Sequence, residues 1–194
     1  MNTSLVPLAC FVAGIFLPTM LVAKAPTVEP MNTLYLFTGD EPSNSWRSNN
    51  DGVMGGISKG SPELVADGMR FSGVLSLENN GGFASVYTRA DFDLSEADGV
   101  WLKVMGDGRT YQLRLEGDAL YRERWPVSFS SEFTTIADEW VEVFIPFEVF
   151  KQTWRGRQLS GYALSQDDIR RIGIMLADGQ PGSFNLKVAW LKAE

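Results

Sequence analysis

Short segments in which apolar and polar side chains alternate follow one another along most of this sequence. In residues 69–77, for example, every second position is apolar or Gly and most positions between are polar. A period of two is typical of a β-strand that buries one face. Gly, Asn and Asp residues separate the segments at intervals of about 8–12 residues. The pattern therefore predicts an all-β fold, a jelly-roll β-sandwich, with one short helix or helical turn at residues 165–168.

Two pairs of neighbouring segments are predicted to form β-hairpins. Residues 69–77 would pair with 83–89, and residues 100–105 with 110–116, because a short Asn- or Gly-rich connection is a strong local hairpin signal. The core side chains expected from the second pair are Val100, Leu102, Val104, Tyr111, Leu113 and Leu115. Further strands are predicted at residues 34–37, 125–130, 140–145, 171–177 and 184–191.

Charge and composition exclude several functions. The chain has 24 acidic and 17 basic residues, and its formal net charge of −7 opposes binding to a phosphate backbone, so nucleic acid is not an expected partner. It has no His, and its one Cys, Cys10, lies in the apolar N-terminal stretch, which removes His-based catalysis and thiolate metal sites. We therefore predict no catalytic residue and no cofactor, and expect a binding protein that is not an enzyme. Acidic clusters could supply oxygen ligands to calcium, but they match no calcium-loop pattern, so we predict a solvated charged surface there and no metal site; they are Asp40-Glu41, Asp91 with Asp93, and Asp167-Asp168.

The first 25 residues are predicted to be a signal peptide or an N-terminal membrane anchor. Residues 5–23 carry no charged side chain, and residues 23–25 form a small-x-small cleavage pattern. The apolar run also approaches the ~20 residues that span a bilayer. Residues 26–33 would be a linker and 34–191 the folded domain. The chain is expected to be exported, either periplasmic or extracellular, or to be held at a membrane by this segment alone.

A set of short motifs occurs in one order along the chain. They are Trp46 followed by Asn50-Asp51-Gly52-Val53-Met54-Gly55-Gly56-Ile57-Ser58, then Phe71-Ser72-Gly73, Gly82-Phe83-Ala84-Ser85, Asp107-Gly108-Arg109-Thr110-Tyr111, Ile145-Pro146-Phe147, Ile172-Gly173-Ile174-Met175 and Gly182-Ser183-Phe184. With these motifs the sequence resembles the complex I intermediate-associated protein 30 family over about residues 34 to 191. The resemblance implies a galactose-binding-domain-like jelly roll, similar to some carbohydrate-binding modules, and no catalytic residues. In mitochondrial members it implies a role as an assembly factor for respiratory complex I.

The motif from Asn50 to Gly56 has two interpretations. Gly residues allow positive φ and Asn and Asp side chains bond nearby backbone, which favours a structured loop packed under Trp46. Alternatively the segment is a binding loop in which Asn50 and Asp51 offer polar groups and Met54 an apolar contact. The residues of this candidate loop are Trp46, Asn50, Asp51, Gly52, Met54, Gly55 and Gly56.

A second candidate site is the polar side of the second predicted hairpin. Its residues are Trp101, Lys103, Gln112, Arg114 and Glu116. A Trp beside Arg, Gln and Glu suits either a sugar platform or a protein-binding hot spot. The alternative is that loops bury this side.

These observations predict a non-catalytic binding module that acts as a chaperone-like or assembly-factor interaction protein. Its partner would be a protein, such as a membrane or respiratory-complex subunit. The alternative is an exported protein similar to a carbohydrate-binding module, with a glycan as its ligand.

Overall fold

The computed structural model describes residues 32–37 and 45–194, which contain β-strands and three short 3-10 helices. The strands are β1 (Asn32–Leu36), β2 (Arg47–Ser48), β3 (Lys59–Val65), β4 (Gly68–Leu75), β5 (Ala84–Phe92), β6 (Gly99–Met105), β7 (Thr110–Glu116), β8 (Leu120–Tyr121), β9 (Trp125–Pro126), β10 (Ser128–Thr134), β11 (Trp140–Pro146), β12 (Lys151–Trp154), β13 (Arg157–Gln158), β14 (Ile169–Leu176) and β15 (Gly182–Ala193). The 3-10 helices are Asp51–Met54, Glu78–Asn80 and Phe147–Val149. The predicted signal or anchor segment, 1–25, and residues 26–31 of the predicted linker lie outside the described residues.

The strands form two antiparallel sheets that pack face to face. The first sheet has the order β11-β6-β15-β4-β3, with β1 also paired to β15. The second sheet has the order β13-β12-β10-β7-β14-β5-β2, and β8 and β9 form a separate small hairpin. The all-β sandwich predicted from the alternating segments is confirmed. Residues 165–168 form a turn, closed by the Asp168 amide donating to the Ser165 carbonyl at 3.3 Å, rather than a helix.

The core lies between the two sheets and is filled by alternate residues of each strand. Val100, Leu102 and Val104 of β6 face it from the first sheet, and Leu113 and Leu115 of β7 face it from the second, all fully buried. Burying one such side chain contributes about 1.5–3 kcal/mol relative to exposure. The period of two therefore predicts correctly which side chains of these strands are buried.

Both predicted hairpins are wrong. Strand β4 pairs with β3 and β15 in the first sheet, whereas β5 pairs with β14 and β2 in the second. Strand β6 pairs with β11 and β15, whereas β7 pairs with β10 and β14. Each Gly- and Asn-rich connection thus crosses from one sheet to the other. An alternating pattern predicts which face of a strand is buried. It does not predict whether the next strand lies beside it in the same sheet or across the core in the other sheet.

This crossing divides the second candidate site between opposite sides of the sandwich. Trp101 and Lys103 lie on the outer face of the first sheet, because their neighbours on β6 fill the core. Gln112, Arg114 and Glu116 lie on the outer face of the second sheet for the same reason. The five residues therefore do not form one surface. In the ranges 32–37 and 45–194 no helix has the length and hydropathy of a membrane span.

Candidate functional site

The Asn50–Gly56 segment is a 3-10 turn organised around a buried carboxylate. Asp51 is fully buried and accepts hydrogen bonds from three backbone amides: Gly82 at 2.7 Å, Ser58 at 2.9 Å and Phe83 at 3.3 Å. Burial alone would raise the pKa of Asp51, but the hydrogen bonds outweigh burial, and the pKa lies below its usual value. Asp51 therefore ties the turn to the start of β5 and has no oxygen directed at solvent.

Asn50 extends this framework. Its side-chain amide donates to the Gly60 carbonyl at 3.0 Å, and its side-chain oxygen accepts from the Ser85 amide at 3.2 Å. A side chain at Gly56 would overlap the Asp51 carboxylate, which explains the small residue there. These contacts favour the structured-loop interpretation for Asn50 and Asp51.

The outer face of the second sheet carries a groove of about 630 Å³. Its floor is formed by side chains of β7 and β14, including Arg114, Glu116, Arg171 and Met175. One rim is the 3-10 turn, where Val53 and Met54 are 73% and 49% exposed. The opposite rim contains Trp125, Pro126, Trp154 and Arg155. The volume is within the range of about 300–1,000 Å³ that is common for ligand sites.

Two arginines on the floor differ in their partners. Arg171 forms an ion pair with Glu116 at 3.0 Å and stacks 4.6 Å over the Tyr87 ring. Arg114 donates from Nε to Ser128 Oγ and from Nη1 to Met175 Sδ, both at 2.9 Å, and pairs with no carboxylate of the described residues. Burial lowers the pKa of Arg114, and the charge of Glu116 offsets this only in part. The floor thus holds a partly buried cation without an ion-pair partner.

The far rim is a cluster of aromatic rings and guanidinium groups. The Trp154 ring lies 5.0 Å from the Tyr121 ring and 6.2 Å from the Trp125 ring. Arg155 lies 5.2 Å from the centre of Trp154 and 5.6 Å from that of Trp125, and Arg124 lies 4.8 Å from Trp125. Stacked guanidinium groups leave their N–H edges free to bind anions or carbonyl oxygens. This rim combines apolar area with directed donors.

Comparison with known proteins identifies the family. The sequence model of the complex I intermediate-associated protein 30 (CIA30) family matches residues 35–188. The chain belongs to this family. A probable complex I intermediate-associated protein 30 of Caenorhabditis elegans mitochondria is 36% identical over 92 residues, which are 46% of this chain and 27% of that protein. The mitochondrial complex I intermediate-associated protein 30 of Mus musculus is 31% identical over 106 residues, 53% of this chain and 32% of that protein. The matched region thus spans about a third or less of these relatives.

Solved structures similar to this CIA30-family domain include carbohydrate-binding modules and parts of agarases. The family 11 module of a cellulosomal cellulase of Clostridium thermocellum has a TM-score of 0.63 at 19% identity, over 84% of this chain and 94% of that module. A family 30 module from the same organism has a TM-score of 0.57 at 10% identity, over 85% and 97%. At these identities the likeness shows the fold alone. It agrees with the galactose-binding-like sandwich implied by the sequence motifs.

The predicted site residues of this CIA30-family chain do not lie together in the structure. Arg114 and Glu116 lie in the groove floor and Met54 on its rim. Trp46 is buried against Tyr35 and Phe37, with ring centres 5.6 and 5.8 Å away. Gln112 lies beside the groove, where its amide is 3.5 Å from the Glu132 carboxylate. Gly52 and Gly55 belong to the 3-10 turn and its cap.

Trp101 and Lys103, on the other side of the sandwich, are engaged in local contacts. The Trp101 ring packs 5.1 Å from the Phe144 ring, and its indole N–H donates to the Glu194 carboxylate. Lys103 lies 3.4 Å from the Glu142 carboxylate. Neither residue contributes to the groove.

The sequence pattern does not single out several groove residues, among them Trp125, Trp154, Arg155 and Arg171. Three of these four lie at or beside turns, where the strand period gives no guidance on direction. A usable signal was present in residues 121–125 and 154–156, where aromatic residues adjoin arginines within turn sequences. Clustered Trp and Arg is a composition typical of binding hot spots.

Proposed function

We propose that this CIA30-family chain is a non-catalytic binding module that acts as a chaperone-like assembly factor. Its partner would be a protein, such as a membrane or respiratory-complex subunit. The observation that carries this proposal is the groove on the second sheet, which exposes apolar and aromatic side chains beside arginines. Family membership supports the assembly role, since the curated relatives are named as intermediate-associated proteins of complex I.

The composition of the groove supports a protein ligand. Interface cores are enriched in Trp, Tyr, Met and Arg, and their binding energy is concentrated in such residues. Met54, Trp125, Trp154 and Arg155 supply this composition along the two rims. Val53 adds an exposed apolar side chain next to Met54, which enlarges the apolar surface of this rim.

The groove also lacks the pairing of groups that acid–base chemistry needs. Glu116 is the one carboxylate among its described lining residues, and it is held in the ion pair with Arg171. General acid–base catalysis uses groups that gain and lose a proton near the working pH. Arginine remains charged throughout that range. This supports a binding role over catalysis.

Site-specific photo-crosslinking in native membranes tests the proposal. A photoreactive residue replaces Val53 at the groove rim, and in a matched chain it replaces Val74, an exposed valine of the first sheet. We expect respiratory-complex subunits to crosslink through position 53 and not through position 74, and Trp154→Ala to reduce the product. If both positions yield the same proteins, or no respiratory subunit is captured, the proposal fails.

A glycan ligand is the second candidate function. The favouring observation is that one structurally similar module was solved with a β-1,3-1,4-mixed-linked tetrasaccharide, while this groove presents Trp125 and Trp154. Aromatic rings suit sugar binding because they offer flat apolar area. Calorimetric titration with that tetrasaccharide tests it. Saturable binding that Trp154→Ala abolishes and Trp101→Ala leaves intact would favour the glycan.

We further propose that the domain works outside the cytoplasm or at a membrane, delivered by residues 1–25. The uncharged run at residues 5–23 supports this. Sequencing the mature N-terminus after cell fractionation tests it. A start after Ala25 in a soluble exported fraction indicates a signal peptide, and an intact N-terminus in membranes indicates an anchor. An intact N-terminus in the cytosol would refute both.

A further inference from the structure

The charge of the groove is opposite to that of the chain around it. Among its lining residues are three arginines and one glutamate, so the lining carries a formal charge of +2, whereas the whole chain carries −7. Arg124 adds a fourth cation beside the rim through its contact with Trp125. A local excess of cations on an acidic protein attracts anionic ligands to that place and away from the remaining surface.

The arginines are held in positions where they can bind carboxylates. Arg114 uses two of its N–H groups on Ser128 and Met175, neither of which carries a charge. The Glu116 carboxylate is already paired with Arg171. Arg114 consequently retains N–H donors and forms no ion pair with a carboxylate of the described residues, and the nearby charge of Glu116 compensates it only in part. A carboxylate from a ligand would supply both an acceptor and the missing charge.

Three residues in the turns of the far rim have side chains although their backbone adopts a positive φ, which is unfavourable for residues other than Gly or Asn. Arg155 has φ of 48°, and in the neighbouring turn Arg122 and Glu123 have φ of 51° and 56°. Such values favour Gly or Asn, and other residues in this region are strained. A turn that served only to connect strands would be more stable with Gly at these positions. Closing the two hairpins therefore does not by itself explain the side chains at these positions, which are placed to make contacts at the rim.

The Trp rings of the rim are less suited to a sugar than to a charged peptide. Arg155 covers part of both Trp154 and Trp125, and Arg124 lies over Trp125 as well. A sugar platform needs an open ring face, whereas a guanidinium lying on a ring offers N–H donors at its edge. Between these donors and Met54, an apolar side chain can still pack. The rim thus provides anion binding and apolar burial side by side.

We propose that the groove binds an extended acidic polypeptide segment of the partner. Its carboxylates bind Arg114 and Arg155, and an apolar side chain between them packs against Met54 and Trp154. This inference rests on the proposed function, since it specifies the chemistry of the protein segment that the module holds.

A display selection with a random peptide library on the full chain tests the proposal. The chain is compared with Arg155→Asn, which removes the charge and keeps a residue tolerant of positive φ, and with Lys103→Gln, which removes one positive charge on the opposite sheet. Arg114→Met is a second groove variant that keeps the apolar stem. We expect Asp and Glu to be enriched at least about twofold over the starting library on the chain and on Lys103→Gln, with this enrichment lost on both groove variants.

The affinity of one selected peptide is then measured by calorimetry, beside the same peptide with Gln and Asn in place of Glu and Asp. The acidic form is expected to bind at least about tenfold more tightly, and more weakly as salt rises. Equal affinity of the two forms would overturn the proposal. So would an unbiased selection, or a loss of binding in Lys103→Gln as large as in Arg155→Asn. Displacement of the selected peptide by the mixed-linked tetrasaccharide would also overturn it, in favour of a glycan.

The acidic-ligand proposal and the assembly-factor proposal can fail independently of each other. If selection shows no acidic preference while crosslinking through position 53 still captures respiratory subunits, the ligand chemistry is wrong and the assembly role stands. If acidic peptides bind as expected but no respiratory subunit is captured, the groove chemistry stands and the assembly role is wrong.

Discussion

Asp51→Ala removes a fully buried carboxylate that three backbone amides use as their acceptor. The bonds from Gly82 at 2.7 Å and from Ser58 at 2.9 Å are short, and the bond from Phe83 at 3.3 Å is weaker. A hydrogen bond to a charged group contributes about 1.5–3 kcal/mol to stability. Counting the two short bonds, we expect the free energy of unfolding to fall by about 4 kcal/mol. That is a large share of the about 5–15 kcal/mol that stabilises a typical domain.

Urea unfolding followed by Trp fluorescence measures this loss. With a denaturant slope of about 2 kcal/mol per molar, the midpoint should fall by about 2 M. Asp67→Ala is the matched control, because it removes the same charge from an exposed side chain. Its ion pair with Lys187 at 2.8 Å contributes little to stability, so its midpoint should fall by about 0.5 M or less. If Asp51→Ala shifts the midpoint no more than the control while crosslinking through position 53 is lost, Asp51 contacts the ligand and the structural reasoning is refuted.

The pH dependence of the stability difference between the protein and Asp51→Asn gives an independent check on the role of Asp51. The pKa of Asp51 is lower in the folded chain, so its contribution is complete above the unfolded pKa of about 3.9 and is lost as pH falls through the folded pKa. The stability difference between the protein and Asp51→Asn should therefore be constant near neutral pH and shrink below about pH 4. A difference that stays constant into the acid range would contradict the assignment.

Three further changes test other parts of the structure by the same unfolding assay. Arg109→Ala leaves the partly buried Asp178 carboxylate without its bidentate partner, which lies at 2.7 and 2.9 Å, and should cost about 2–3 kcal/mol; a loss well below this would mean that water replaces the guanidinium. Gly73→Ala places a methyl group onto the Lys59 carbonyl of the adjacent strand and should cost about 2 kcal/mol or more; an unchanged midpoint would contradict this packing. Arg155→Gly relieves a positive φ and should preserve stability or raise it by about 1 kcal/mol; clear destabilisation would show that the side chain supports the fold.

The sequence predicts burial well because burial follows a local rule. Along β6 and β7 every second side chain faces the core, and that period needs no knowledge of the neighbouring strand. Pairing is different, because it depends on contacts between segments far apart in the chain. Asp107 illustrates this: its carboxylate accepts from the Tyr111 hydroxyl at 3.0 Å and from the distant Asn185 amide at 2.8 Å. The connection that resembled a hairpin turn is fixed by such contacts as a crossing between sheets.

The wrong pairing of β6 with β7 explains why only part of the candidate binding face is predicted correctly. The sequence places Trp101 and Arg114 on one surface only if their strands are neighbours in one sheet. Once β6 and β7 lie in different sheets, Arg114 and Glu116 keep their outward direction and Trp101 lies on the opposite side. The groove is completed by Trp125 and Trp154, which come from short segments with no clear period.

The family motif explains how a buried framework and an exposed rim can share one short segment. Asp51 fixes the turn to β5 through the Gly82 and Phe83 amides, so the turn has a defined position against the second sheet. The same turn then directs Val53 and Met54 outward along the groove. Under the proposed function, the polar residues of the motif would act on binding only by holding these two side chains in place. We expect loss of Asp51 to weaken binding only through the stability of the turn, whereas substitutions at Val53 or Met54 should change the surface offered to a ligand and leave stability nearly unchanged.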